Sequence, residues 1–164
     1  VYMMAQDSQK VKSYMYDLNQ NGVYEISSDL LEKIQDVFKA GWLNEDEVLD
    51  TIKTCFEQTG YLLDTHTAIG YGVYKEYQKT SGDETKTIIL ATASPYKFAD
   101  SVYKALTDQS LSEYQAIEAV YEKTGVDIPK PLVQLDQKEI LHQKVIDKED
   151  RIHEISQKIK EMSL

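Results

Sequence analysis

Two short stretches concentrate the side chains that can do chemistry. Asp64-Thr65-His66-Thr67-Ala68 puts a carboxyl, an imidazole and two hydroxyls side by side. Thr92-Ala93-Ser94-Pro95-Tyr96-Lys97-Phe98 adds two more aliphatic hydroxyls and an ammonium around a proline. Ser94, His66 and Asp64 supply the residue types of a hydrolytic triad, but the Gly-x-Ser-x-Gly elbow that exposes such a serine is absent. No spacing of His, Cys, Asp or Glu fits a metal site. No glycine-rich loop is placed to cradle a phosphate, because Gly70 and Gly72 fall inside a helical pattern. His142 and His153 stand among charges and read as surface positions. Cys55 lies on a helical apolar pattern and reads as a small buried side chain.

The elements around these stretches follow from periodicity. Residues 87–91 form a β-branched and aliphatic run, long enough for one buried strand. Ser94 can cap a helix with Pro95 at its first position. Phe98, Val102 and Leu106 then recur at helical spacing. Such a strand and turn place small hydroxyls at a strand's carboxyl end, where ligands bind in α/β sheets. Asp64 or Thr65 can cap a second helix carrying Ala68, Tyr71, Val73, Tyr74 and Tyr77. Gly70 and Gly72 within it cost roughly 1 kcal/mol each against alanine, which points to close approach of a neighbouring backbone or a ligand.

The rest of the chain is helical in pattern. Val11, Tyr14, Met15 and Leu18 line one helix, which Gly22 ends. Ser27 or Ser28 caps another with Leu30, Leu31, Ile34, Val37 and Phe38 on its stripe and Gly41 at its close. Asn44 and Glu47 form a capping box, Leu43 and Val48 a hydrophobic staple, and Val48, Leu49, Ile52, Cys55 and Phe56 the buried face. Residues 27–60 therefore predict an antiparallel helix pair. The acidic run at 44–47 favours a helix dipole rather than a cation. Ser110 or Ser112 opens a helix with Ala116, Ile117, Val120 and Tyr121 inward. Asp147 opens a last one striped by Ile152, Ile155, Ile159 and Met162. Residues 139–146 fit a strand or an irregular segment. Val1 to Ala5 reads like the end of a buried strand, and the chain like a piece of something larger.

The 164 residues carry a net charge of −10, which leaves no basic face for nucleic acid. No apolar run approaches the ~20 residues of a membrane span, and no secretory signal is visible. The single cysteine suits a reducing, cytoplasmic setting.

"LLDTHTAIGYGVYKEY" and "TIILATASPYKFADSV" together resemble the C-terminal third of threonine synthase. The resemblance extends through "GWLNEDEVLDTIKTCFEQTGYLLD", "IPKPLVQL" and "HQKVIDKED", and so over nearly the whole chain. The family reads Asp-Pro-His-Thr-Ala where this chain has Thr65, and commonly proline where it has Ala99. The resemblance implies an α/β fragment, mostly helical with few strands, from a fold-type II pyridoxal-phosphate enzyme. It divides into a helical segment, 1–60, and an α/β segment, 61–164. It further implies that Thr92, with Ser94 beside it, partners the pyridine nitrogen of pyridoxal phosphate. Asp64 and His66 then shape the site wall or hold the loop of Thr92, Thr67 belongs to the same wall, and Lys97 meets the substrate phosphate or pairs with an acid at the surface. No catalytic residue falls in this chain, since the Schiff-base lysine and phosphate loop of the family lie upstream. The implied reaction of the full enzyme turns O-phospho-L-homoserine and water into L-threonine and phosphate, and the chain alone is expected to be inactive. The alternative is a non-enzymatic helical interaction module derived from such an enzyme. A strand taken from a larger sheet also predicts self-association of the isolated chain.

Overall fold

A computed structural model describes residues 1–141 and 143–162. His142, expected at the surface, lies outside the described residues. The helices are α1 (Tyr2–Ala5), α2 (Ser8–Asn21), α3 (Ser28–Gln35), α4 (Glu45–Thr59), α5 (Thr65–Ser81), α6 (Ala99–Thr107), α7 (Glu113–Thr124) and α8 (Arg151–Met162). Tight 3-10 turns occupy Pro95–Phe98, Lys130–Leu132 and Leu135–Gln137.

Local chemistry sets most of these boundaries. Asp7 accepts the Gln9 and Lys10 N–H groups to start α2, and Gly22 ends it with φ 73°. At α4 the Asn44 side chain accepts the Glu47 N–H at 2.9 Å, while the Glu47 carboxylate accepts the Asn44 N–H at 2.7 Å. Val48, Ile52 and Cys55 are buried on its inner face, and Leu43 packs against the same core.

The core is built where α4 packs on α5 and α6, and α6 on α7. Ile52, Val102 and Val120 are fully enclosed there, with Ala68, Ala99 and Ala116 where the helices meet. Burying each of the larger side chains stabilises the fold by about 1.5–3 kcal/mol. This core runs continuously from Val48 to Val120. At the other end of the chain α1 lies against α2 and α3, and Tyr14 stacks on Tyr24 with ring centroids 5.4 Å apart.

Several sequence expectations change. Among the described residues no strand forms. Residues 87–91 are irregular, with Ile88 87% and Leu90 76% exposed. A strand is stable only against a neighbour, and no described segment pairs with this one. Val1 to Ala5 is likewise no strand, since Tyr2–Ala5 is a helical turn with Tyr2 and Met3 exposed. The antiparallel pair within 27–60 is replaced by α3 against α1 and α4 against α5 and α6, because Val48, Ile52 and Cys55 find their apolar partners there. Gly41 does not close α3, which ends at Gln35. Finally, Tyr121 is largely outside the core, 43% exposed.

The glycine expectation at α5 resolves in two ways. A Cβ on Gly72 would stand 2.5 Å from Leu43 Cδ1, so the close neighbour is a side chain, whereas Gly70 faces open space.

Tyr96 ties the 95–98 turn to the end of α7. Its hydroxyl donates to the carbonyl of Val126, and the ring is buried. Burial first, then the charges of Asp127 and Glu118, push this phenol above the ordinary tyrosine value, although a Thr124 hydrogen bond pulls the other way. Unfolding lets the phenol ionise at its usual pKa near ~10, so folding stability falls as pH rises through and above that range. Tyr96→Phe should cost about 1–3 kcal/mol and flatten that alkaline decline. Urea unfolding at neutral and alkaline pH checks both.

Candidate functional site

The site is built on two helix starts. Asp64, 2% exposed, caps α5, and its Oδ1 accepts the His66 N–H at 2.9 Å and the Thr67 N–H at 3.2 Å. Its Oδ2 accepts a short hydrogen bond from the buried Thr67 hydroxyl. Both carboxylate oxygens accept hydrogen bonds from the start of α5, which fixes Asp64 and Thr67 against one another. Thr65 fills the first helical position, where a proline would also fit.

Across from it, Ser94 caps the Pro95–Phe98 turn, its Oγ accepting the Tyr96 N–H at 3.3 Å. The serine oxygen accepts, which leaves its own proton to donate elsewhere. Phe98 (φ −130°, ψ 44°) breaks the helical path between this turn and α6. One helix was expected here; the structure makes two pieces.

The two motifs meet through aromatic rings. The His66 imidazole lies 4.9 Å from the Phe98 ring, centroid to centroid, at 47°. Lys97 Nζ stands 5.5 Å from the same ring centre. His66 Nδ1 is 3.4 Å from Thr65 Oγ1 and 3.7 Å from Asp64 Oδ1. Asp64, His66, Thr67 and Lys97 are thus neighbours of one aromatic side chain or of one another. Thr92 is exposed and Ser94 half-buried, two residues apart on the same turn. The ring contact between the two motifs runs from His66 to Phe98. Phe98 was legible only as a core position, since nothing in its spacing signals a histidine partner.

A larger cleft of about 1040 Å³ lies elsewhere, between the 39–43 loop and the outer faces of α4 and α5. Its lining includes none of residues 64–68 or 92–98. Asp83 at its edge is held below the usual carboxylate range by hydrogen bonds from Thr85 and then from Tyr77, and Tyr77 is raised mainly by that same bond to Asp83. These contacts close the turn after α5, so the cleft's one perturbed pair is already explained. Among the described residues, no group of His, Cys, Asp and Glu is arranged to hold a metal, and no helix is long and apolar enough to cross a membrane.

The threonine synthase C-terminal family matches residues 67–161, more than half of the chain. The chain belongs to that family. It is 31% identical over 115 residues to "Threonine synthase-like 1" of Homo sapiens, covering 69% of this chain and 15% of that protein. It is 30% identical over 107 residues to the threonine synthase of Schizosaccharomyces pombe, covering 65% of this chain and 21% of that one. Among solved structures, the pyridoxal-phosphate-bound threonine synthase of Brucella melitensis aligns with TM-score 0.55 and 32% identity, over 70% of this chain and 25% of that chain. The yeast threonine synthase aligns with TM-score 0.63 and 26% identity, over 80% and 25%. The chain therefore spans a quarter or less of the length of these relatives. It is the C-terminal part of the threonine synthase pattern, and its mostly helical architecture resembles those enzymes.

Proposed function

We propose that this chain is the C-terminal portion of a pyridoxal-phosphate-dependent threonine synthase of fold type II, acting in threonine biosynthesis in the cytoplasm. In the full enzyme O-phospho-L-homoserine and water become L-threonine and phosphate. The observation that carries this reading is the ring contact between His66 and Phe98, because it gathers the two family motifs into one surface around Asp64.

The residues fit one end of pyridoxal phosphate, the pyridine nitrogen. Ser94 has a proton to donate, and Thr92 presents its hydroxyl on the exposed lip of the same turn. Bound pyridoxal phosphate supplies the electron sink for carbanion chemistry at an amino-acid carbon. Thr92 meets the ring nitrogen as a neutral partner and, unlike a carboxylate, does not force a proton onto it. Asp64 and Thr67 fix the start of α5 and so the place of His66. His66 and Lys97 present N–H donors to the substrate side. Catalysis itself belongs to the upstream lysine region of the family, and the 164-residue chain by itself is inactive.

A rival reading is a non-enzymatic interaction module. The apolar stripe of α8 favours it, since Ile152, Ile155 and Met162 are 72%, 57% and 80% exposed. Borohydride reduction in the presence of pyridoxal phosphate separates the two readings. With the upstream portion present, one stoichiometric lysine adduct forms there; the isolated chain yields no site-specific adduct. A stoichiometric adduct on Lys97 or another lysine of this chain contradicts the division of labour. No adduct in the full-length protein favours the interaction module.

A further inference from the structure

Spacing alone groups Phe98 with Val102 and Leu106. The structure separates them, because Val102 is enclosed and Leu106 packs on the core, whereas Phe98 is not among the described side chains of that core or its rim. The backbone at Phe98 is non-helical (φ −130°, ψ 44°). Half-buried, the ring instead faces a histidine and a lysine. Apolar burial alone does not account for that choice, since a core position was available by register.

We infer that Phe98 is a positioning residue, whose ring holds the His66 imidazole and the Lys97 ammonium together so that both face one anionic phosphate-ester group. The physical basis lies in the ring itself. Its electron-rich face attracts the ammonium, and its tilted contact with the imidazole limits how that ring can turn. Lys97 otherwise has a flexible four-carbon stem and an exposed head. His66 Nδ1 has Thr65 and Asp64 as neighbours, and the side chain is 60% exposed, so the imidazole is open to an incoming group. The identity of that group as the substrate's phosphate rests on the threonine synthase reading; the placement of the two side chains does not.

The test begins without substrate. In protein labelled with carbon-13 at histidine Cε1, the His66 signal is assigned by its loss in His66→Gln. It should be displaced by the Phe98 ring current relative to the exposed His153. Phe98→Leu should remove the displacement and Phe98→Tyr restore it, with Phe98→Met in place of leucine if that variant unfolds. In the full-length protein, with O-phospho-L-homoserine, Phe98→Leu should raise KM on the order of tenfold while kcat changes little, and Phe98→Tyr should recover the wild-type KM. An undisplaced His66 signal in the wild type overturns the inference. So does an unchanged KM in a variant that has lost the displacement. Wild-type protein with the displacement but no turnover defeats the threonine synthase reading alone. Titration of the His66 signal with inorganic phosphate then decides: a response weakened on the order of tenfold in Phe98→Leu supports the positioning role, and no wild-type response overturns it.

Discussion

Asp64→Ala lowers the stability of the fold by about 2–4 kcal/mol, the sum of a lost helix cap and a stranded buried hydroxyl. One carboxylate oxygen accepts two N–H groups at the start of α5, and the other accepts the Thr67 hydroxyl. Asp64 and Thr67 are 2% and 5% exposed, so water does not readily replace these bonds. Because α5 is one wall of the core against α4, loosening its first turn disturbs Ala68 and the packing beyond it. Asp64→Asn keeps an oxygen for the cap and should lose markedly less. For a chain of this size the alanine change corresponds to a fall in Tm of roughly 5–15 °C. Thermal unfolding of both variants measures it. A loss below about 0.5 kcal/mol in the alanine variant means that the cap does not hold α5 as described.

Thr92→Val acts on a different quantity. The side chain is exposed, so stability should move by no more than about 0.5 kcal/mol. In the full-length enzyme the loss of the hydroxyl proposed to meet the pyridine nitrogen should weaken pyridoxal phosphate binding by about 1–3 kcal/mol, or roughly 5- to 150-fold in Kd. Valine has nearly the same shape, so packing is not the cause. Thr92→Ser keeps the hydroxyl and should retain most of the affinity. Absorbance titration of apoenzyme gives the Kd, and wild-type affinity in Thr92→Val removes this residue from the cofactor's ring nitrogen.

Several local signals, whose stabilising partner lies within a few residues, were legible in this sequence, although Gly41 as the end of α3 and Asp147 as the start of α8 were not. The Asn44–Glu47 box and the Asp64 cap each reach no more than three residues along the chain. Signals that depend on distant partners were not. Residues 87–91 have strand composition, but side-chain type cannot supply the neighbouring strand that pairing requires. The stripe of α8 marked a helix, which starts at Arg151 rather than at the expected Asp147, and periodicity does not say what covers its apolar face. Gly72 announced a close approach without naming Leu43. The bond from Tyr96 to Val126 spans 30 positions, and the contact of Phe98 with His66, 32 positions away, has no local marker. At the site, the motif residues themselves were legible, and the aromatic ring joining them was not.

If this chain completes a threonine synthase, as proposed, the full-length protein must carry out the whole reaction. The most direct measurement supplies the full-length protein, loaded with pyridoxal phosphate, with O-phospho-L-homoserine, and follows inorganic phosphate and L-threonine together. The account predicts equal amounts of both products from the full-length protein and neither from the 164-residue chain alone. Phosphate without threonine, or no product from a folded protein that binds the cofactor, contradicts it.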